Sequence, residues 1–429
     1  MDKTILSKKK ILMYAHYYIP DVASTGQVCA DLAEGLSSSF DVTVICVVPS
    51  YSGKIEKKYK EKNKLYYKEE INDVHVIRVS VPEFSKQSKI SRIKNILAYF
   101  LKARKVTKRL GDFDIIFSIS QPPILGGMLG AFGKKKKHAK FIYNIQDLNP
   151  EQIESIGYCK NKAIINLMMN IDKRSCLKSD LIITVGKDLV ETINKRFSTS
   201  KKKPKTKLIN NWANEKEIYP LPETDAKVKQ FKSENKLCGK FVLMYSGNIG
   251  LYYDLDNVFR AIKDIKPGSL ALDGREIEFV FVGGGSMLKK LEHFRNENKM
   301  SNVLFVPYQN KKNLNICLNS ADVHFCTNAK GIKGVSCPSK YYGIAACGKP
   351  IIAVLEKGTE IRDSIEFVGG GFCSDPQDCF SLTQNIKKIC SCTKSELIHM
   401  GESNYLLNKN SFSKATSIKK YIEEIEVLL

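Results

Sequence analysis

The stretch FVLMYSGNIG, residues 241–250, sets a continuous apolar run directly before a turn with two glycines, and a helical pattern opens soon after at Leu255. An apolar run this short reads as a strand buried on both faces, and glycine lets the backbone turn sharply from it. Toward the C-terminus the unit recurs as IEFVFV (277–282) before GGGS, VLFV (303–306), VHFC (323–326) and IIAVL (351–355), with helix candidates such as Leu255–Ile265 and Ser286–Glu297 between them. Toward the N-terminus lie ILMYA (11–15), VTVICVV (42–48), VHVIRV (74–79), IIFSIS (115–120), FIYNI (141–145) and LIITV (181–185). Strands alternating with helices predict parallel sheets covered on both faces. Two such series make an α/β chain of two doubly wound, Rossmann-like domains in tandem, with a cleft expected at the carboxyl ends of the sheets. STSKKKPK (198–205) and the prolines of PLP (220–222) mark a linker. The expected division is 1–215, 216–410 and a closing helix in 411–429. That helix, Ser413–Leu429, has apolar residues at Ile418, Ile422, Ile425 and Leu429, and is expected to cross back to the first domain.

Composition separates the two halves. Of 429 residues 43% are hydrophobic and the formal charge is +23, which suits a globular chain of more than one domain. Residues 1–207 hold 39 Lys and Arg against 20 Asp and Glu, whereas residues 208–429 hold 29 against 25. A basic first half fits a polyanionic partner: nucleic acid, anionic lipid or an acidic substrate. It fits equally a solvated, lysine-rich surface. The 13 cysteines form no C-x-x-C pair, and the start Met1–Lys10 is polar, so reduced thiols in a cytoplasmic protein are expected. Residues 115–133 lack charge, but Pro122 and Pro123 divide them into a predicted strand and then a loop with a short helix, not a membrane span.

Several segments bear chemistry. In YSGNIG, Gly247, Asn248 and Gly250 are candidates to cradle phosphate with backbone N–H groups, although a tight turn alone asks for glycine. VGGGSMLKKLE (282–292) repeats the logic with Gly284. Its spacing does not fit the dinucleotide fingerprint, so no nicotinamide cofactor is expected. CPSKYYGIAACGKP (337–350) leaves Ser339 and Lys340 at a helix amino end, where the lysine is a candidate counter-charge for a diphosphate. Asp147, after the strand FIYNI, either orients or deprotonates an acceptor hydroxyl or caps the helix near Pro150, with Glu151 beside it. His16 ends the first strand and is either structural or part of an acceptor site. Asp112 with Asp114, and Asp254 with Asp256, precede regular elements, and no required metal is expected. Phe84–Leu110 interleaves basic residues, from Lys86, Lys89, Arg92 and Lys94 to Arg109, with Ile90, Ile93, Ile96, Leu97, Phe100 and Leu101. Such a helix either joins the core or meets an anionic membrane.

In order along the chain stand HYYIPD with Gly26 in the next loop, DLNPE (147–151), SDLIITVGKDLVETI (179–193), INNWAN (209–214), YSGNIG, FVFVGGG, NVLFVPY, SADVHFCTN and PSKYYGIAACGKP. In this order the chain resembles the retaining GT-B glycosyltransferases of family 4 that build bacterial surface polysaccharides such as O-antigen and capsule. The resemblance implies a nucleotide-sugar donor, UDP-type, with its diphosphate on the YSGNIG backbone and Lys340, and its base near Val306–Tyr308. Asp147 and Lys340 become the catalytic candidates. Gly247, Asn248, Gly250, Gly284, Tyr308, Ser339 and Lys340 become donor-binding, and His16, Gly26, Asp147 and Glu151 acceptor-binding. The acceptor is expected to be a glycan or a polyprenyl-diphosphate-linked sugar, met at the anionic cytoplasmic face of the inner membrane, with no nucleic acid partner. The chain departs from the family in two ways: Gly343 and Val335 stand where it often has a pair of glutamates, and Leu251, Tyr252 and Tyr253 stand where an arginine often follows the first glycine turn. A nucleotide-sugar epimerase on the same double fold and a non-catalytic basic binder remain as alternatives.

Overall fold

The computed structural model describes residues 8–21, 24–85, 87–155, 157 and 161–429, so Lys86 of the cationic segment lies outside the described residues. The chain divides into two compact units. The first comprises Met1–Val185, Leu189–Ile209 and Ile418–Leu429, and the second Gly186–Asp188 and Asn210–Ser417. The division falls at Ile209 rather than near 215. The start of helix Lys187–Arg196 belongs with the second unit because Asp188 accepts the Gly334 amide at 2.7 Å and Glu360 accepts the Lys187 amide at 3.0 Å.

Among the described residues the first unit's sheet has eight strands: β1 (Lys10–Tyr14), β2 (Asp41–Val47), β3 (Tyr66–Ile71), β4 (Val74–Val79), β5 (Ile115–Ile119), β6 (Lys140–Ile145), β7 (Leu181–Thr184) and β8 (Thr206–Leu208). They lie in the order β3-β4-β2-β1-β5-β6-β7-β8, and β3 alone runs antiparallel, as a hairpin on β4. The chain passes from β1 outward to β2 and later returns to β5 on the other side, so the sheet reverses direction between β1 and β5. All five residues of β5 are buried, as an inner strand of a doubly covered sheet requires.

ILGGMLGAF (124–132), read from sequence as a loop and a short helix, is helical from Leu125, in one helix, Leu125–Lys137, that carries the lysine run at its end. A Cβ at Gly130 would lie 2.1 Å from Phe141, so this glycine lets the helix sit directly on the sheet. That close packing offsets the roughly 1 kcal/mol that a helical glycine costs relative to alanine. Among the described residues no helix is long and apolar enough to cross a membrane.

The second unit's sheet is parallel throughout: β9 (Lys240–Ser246), β10 (Glu276–Val282), β11 (Val303–Val306), β12 (Val323–Thr327), β13 (Ile351–Val354) and β14 (Gly371–Ser374). Its order, β11-β10-β9-β12-β13-β14, is that of a dinucleotide-type fold, with the switch point between β9 and β12. The expected strand FVLMYS is thus the sheet's central first strand. The C-terminal helix Lys414–Leu428 returns to the first unit, where Tyr421 and Ile425 are buried and the Tyr421 hydroxyl meets Asn144 Nδ2 at 2.7 Å. Leu429, the last residue of the predicted apolar face, is exposed, and Tyr421, not counted in it, is one of its main anchors.

Candidate functional site

In the second unit the turn after β9 and the helix after β12 meet across the switch point. Gly247 has φ +147°, and a Cβ there would fall 2.5 Å from Lys340 Cε. The lysine side chain therefore lies directly on the glycine turn. Its ammonium sits 3.4 Å from the ring centre of Tyr253 and 5.2 Å from that of Tyr245. Burial pushes its pKa down to about 8, with Cys326 weakly opposing the shift. Aromatic faces hold a cation without neutralising it. The charge therefore keeps its capacity for an anionic ligand. Tyr253, standing where the resemblance led one to look for an arginine, is the residue on which the lysine rests.

The glycines also have a structural duty. The Gly247 amide donates to Val282 O at 2.9 Å and the Ile249 amide to Gly284 O at 2.9 Å, so the two glycine-rich turns are stitched together. A Cβ at Gly283 would lie 2.0 Å from Gly247 O, which only glycine avoids. Both readings of YSGNIG thus have a basis: some amides hold the neighbouring turn, while Asn248 is exposed with its carbonyl fixed by the Tyr245 hydroxyl at 2.7 Å. Ser339 is exposed at the start of helix Lys340–Ala346 and makes no capping bond. Tyr308 is exposed just beyond β11. Gly250 is buried, and Gly284 faces open space where a Cβ would point. Gly343, which replaces the family glutamate, lies in helix Lys340–Ala346, and a Cβ there would meet only Leu318, at 3.4 Å.

The acceptor candidates belong to the first unit. His16 is buried just past β1, and Gly26 lies in helix Ser24–Ser37, where a Cβ would come within 3.0 Å of Tyr17 O. Asp147 is half-buried after β6, with Leu148 between it and the helix Asn149–Ser155. Glu151 departs from its expected role: Arg196 Nε meets Glu151 Oε1 at 2.5 Å, and Arg196 Nη2 meets the other carboxylate oxygen. Arg196 also pairs with Asp172 at 2.7 Å, and Asp172 accepts the Tyr143 hydroxyl at 2.9 Å. Both oxygens of Glu151 are committed to a buried network, which holds the DLNPE segment to the helices behind it. Sequence reading missed Tyr253 and Arg196, since each acquires its role from a partner distant in the chain.

Three of the four aspartates of the Asp-x-Asp pairs are engaged in the framework, and Asp112 is exposed. Asp114 accepts the Lys10 amide at 2.8 Å, Asp254 the Gln377 amide at 2.7 Å, and Asp256 pairs with Lys290 at 2.6 Å. Among the described residues no group of three or more His, Cys, Asp or Glu is set to hold a metal ion.

Comparison with known proteins bears on the family and the fold. Residues 227–405 match the family model described as glycosyl transferases group 1. Two curated relatives carry provisional names. The glycosyltransferase WbjE of Pseudomonas aeruginosa is 27% identical over 357 residues, 81% of this chain and 83% of the relative. The colanic acid biosynthesis glycosyl transferase WcaI of Escherichia coli is 22% identical over 433 residues, 97% of this chain and 99% of the relative. Among solved structures, Anabaena HepE in complex with UDP and glucose superimposes with a TM-score of 0.69 at 14% identity, covering 97% of this chain and 99% of that one. The second unit thus carries the glycosyl transferases group 1 match, the similarity to named glycosyltransferases runs along most of the chain, and the two-unit fold is shared with HepE.

Proposed function

We propose that the protein transfers a sugar, with retention of configuration, from a UDP-type donor to a lipid-linked glycan in the assembly of a cell-surface polysaccharide. The observation that carries the donor half is Lys340, a half-buried ammonium laid on the YSGNIG turn and resting on Tyr253. As the sugar leaves, negative charge grows on the diphosphate, and a fixed cation with backbone amides stabilises it where it develops. Asn248, Gly250, Gly284 and Ser339 would complete the phosphate and sugar contacts, and Tyr308 would edge the base. With that charge supplied by the protein, the reaction needs no metal. The UDP bound by HepE and the name of WcaI support the choice of donor and pathway class.

In the first unit Asp147 is the group assigned to the acceptor hydroxyl, with Gly26 bringing the backbone close. The membrane contact is assigned to helix Lys89–Arg109, whose Ile90, Ile93, Leu97 and Leu101 are all exposed. Flanked by Lys94, Lys105 and Lys108, this stripe suits the cytoplasmic, anionic face of a membrane better than nucleic acid, which offers no apolar phase.

The test is transfer or hydrolysis by the purified protein against a panel of nucleotide sugars in excess chelator, beside UDP binding by calorimetry. Lys340→Ala is expected to lower turnover about 100-fold or more, in the range for loss of one oxyanion-stabilising group. Near-normal turnover would place the diphosphate elsewhere, and a requirement for magnesium would remove the metal-free mechanism.

A further inference from the structure

A cavity of about 210 Å³ opens in the first unit, lined by His16, Tyr17, Phe84, Asn95, Gln121 and Pro122 among others. His16 follows β1 and Gln121 follows β5, so the cavity lies at the carboxyl ends of the two strands between which the sheet reverses. Doubly wound sheets take their ligands at this position.

Among the described residues that line it, one fully buried side-chain atom lacks a partner. His16 is 4% exposed, packed against Tyr17 and Tyr99 with ring centres at 4.3 and 5.0 Å. Asn95, its amide N–H₂ held by Pro82 O at 2.8 Å, hydrogen-bonds the imidazole, while Nε2 is buried with no partner among the described residues. Because Pro82 O holds the Asn95 amide nitrogen, we assign the Asn95 oxygen as acceptor of the imidazole Nδ1–H, and in that tautomer Nε2 keeps its lone pair as an acceptor in search of a donor. Burial pushes the pKa of the ring down to about 3, so it stays uncharged near neutral pH. Gln121 is oriented in turn: Thr25 Oγ1 donates to its Oε1 at 2.9 Å, which leaves the N–H₂ group as its contribution to the cavity.

We propose that this cavity is a subsite for one pyranose ring of a glycan, in which His16 Nε2 accepts a hydrogen bond from a sugar hydroxyl and the Gln121 amide donates to a neighbouring oxygen. The proposal rests on the reading of the first unit as the acceptor domain and adds the chemistry of what is held: an uncharged ring, not the diphosphate of a lipid carrier. Phosphate oxygens would turn lone pairs toward the lone pair of Nε2, and among the described lining residues the one cation is Arg92, which is exposed. A hydroxyl supplies the missing proton. The rings of Tyr17 and Phe84 and the face of Pro122 offer apolar surface to the C–H side of a sugar.

The experiment follows the His16 ring nitrogens by NMR in the full-length protein labelled with ¹⁵N-histidine. The probes are methyl glycosides of glucose, galactose, mannose, N-acetylglucosamine and 6-deoxyhexoses, then pyrophosphate, with UDP titrated separately. At least one glycoside is expected to shift Nε2 saturably. His16→Phe, which keeps a ring but no acceptor, should weaken that glycoside about ten-fold or more, and His16→Gln, which restores an oxygen, should bind within about three-fold of the native protein. The subsite is overturned if no glycoside moves Nε2 while UDP binds, if pyrophosphate moves it, or if His16→Phe binds the glycoside unchanged. Failure of UDP to bind would instead overturn the donor reading, and a glycoside response would still establish the subsite.

Discussion

At the scale of single residues, burial sets the chemistry. Lys340, with its pKa pushed down to about 8, is charged below that pH and loses its proton above it. A diphosphate binds the charged form, so UDP affinity is expected to be level from pH 6 to 8. Above that it should weaken by about ten-fold per pH unit, the cost of supplying one proton. Calorimetry of the native protein beside Lys340→Arg checks this, because arginine keeps its charge and should remove the slope. Burial likewise pushes His16 down to about 3 and His324 down to about 4, against about 6.5 for a free histidine. Between those values the unfolded chain binds protons that the folded chain refuses. Stability should therefore fall as the pH drops below about 6.5, by about 1.4 kcal/mol per unit for each histidine. Urea unfolding at pH 7 and pH 5 measures it, and His324→Gln should remove about half of the loss. Lys340 was legible in the sequence from its place at a helix start after a strand. Glu151 was not, because Arg196, which takes both its oxygens, lies 45 residues on.

At the scale of elements, helix Lys89–Arg109 separates two apolar patterns that overlap in the sequence. Asn95, Tyr99, Phe100, Ala103 and Val106 face the core, whereas Ile90, Ile93, Leu97 and Leu101 face out, with Ile90 68% exposed and Leu101 60%. A core helix does not carry a second apolar stripe into solvent without a partner for it. Ile93→Glu with Leu97→Glu should leave the melting temperature within about one degree, as expected for exposed sites. The same pair should abolish sedimentation with vesicles containing anionic lipid, and retained binding would remove this helix from the membrane reading. The helix Leu125–Lys137 teaches the converse lesson. Glycines that argue locally against a helix are required once Phe141 and the strands beneath it come close.

At the scale of the whole molecule, the chain's last helix completes its first unit. Gly35 in the helix Ser24–Ser37 makes room for Ile418, whose Cδ1 would lie 2.2 Å from a Cβ placed there, and Tyr421 reaches Asn144 across 277 residues. Gly35→Ala is expected to cost about 2 kcal/mol as overpacking and to speed hydrogen exchange across residues 418–428. Unchanged exchange there would mean that the closing helix is held by other contacts. The sequence by itself determined the two doubly wound units, the eleven strands other than β3, β8 and β14, the glycine turns and the lysine beside them. Each depends on contacts within a few residues, where hydrophobic period and turn chemistry act directly. Tertiary structure alone decided which apolar stripe of the cationic helix faces out, that Tyr253 carries Lys340, that Glu151 belongs to Arg196, and that His16 Nε2 is left without a partner. Those outcomes depend on burial and on pairing between distant segments, and neither is present in a chain until it has folded.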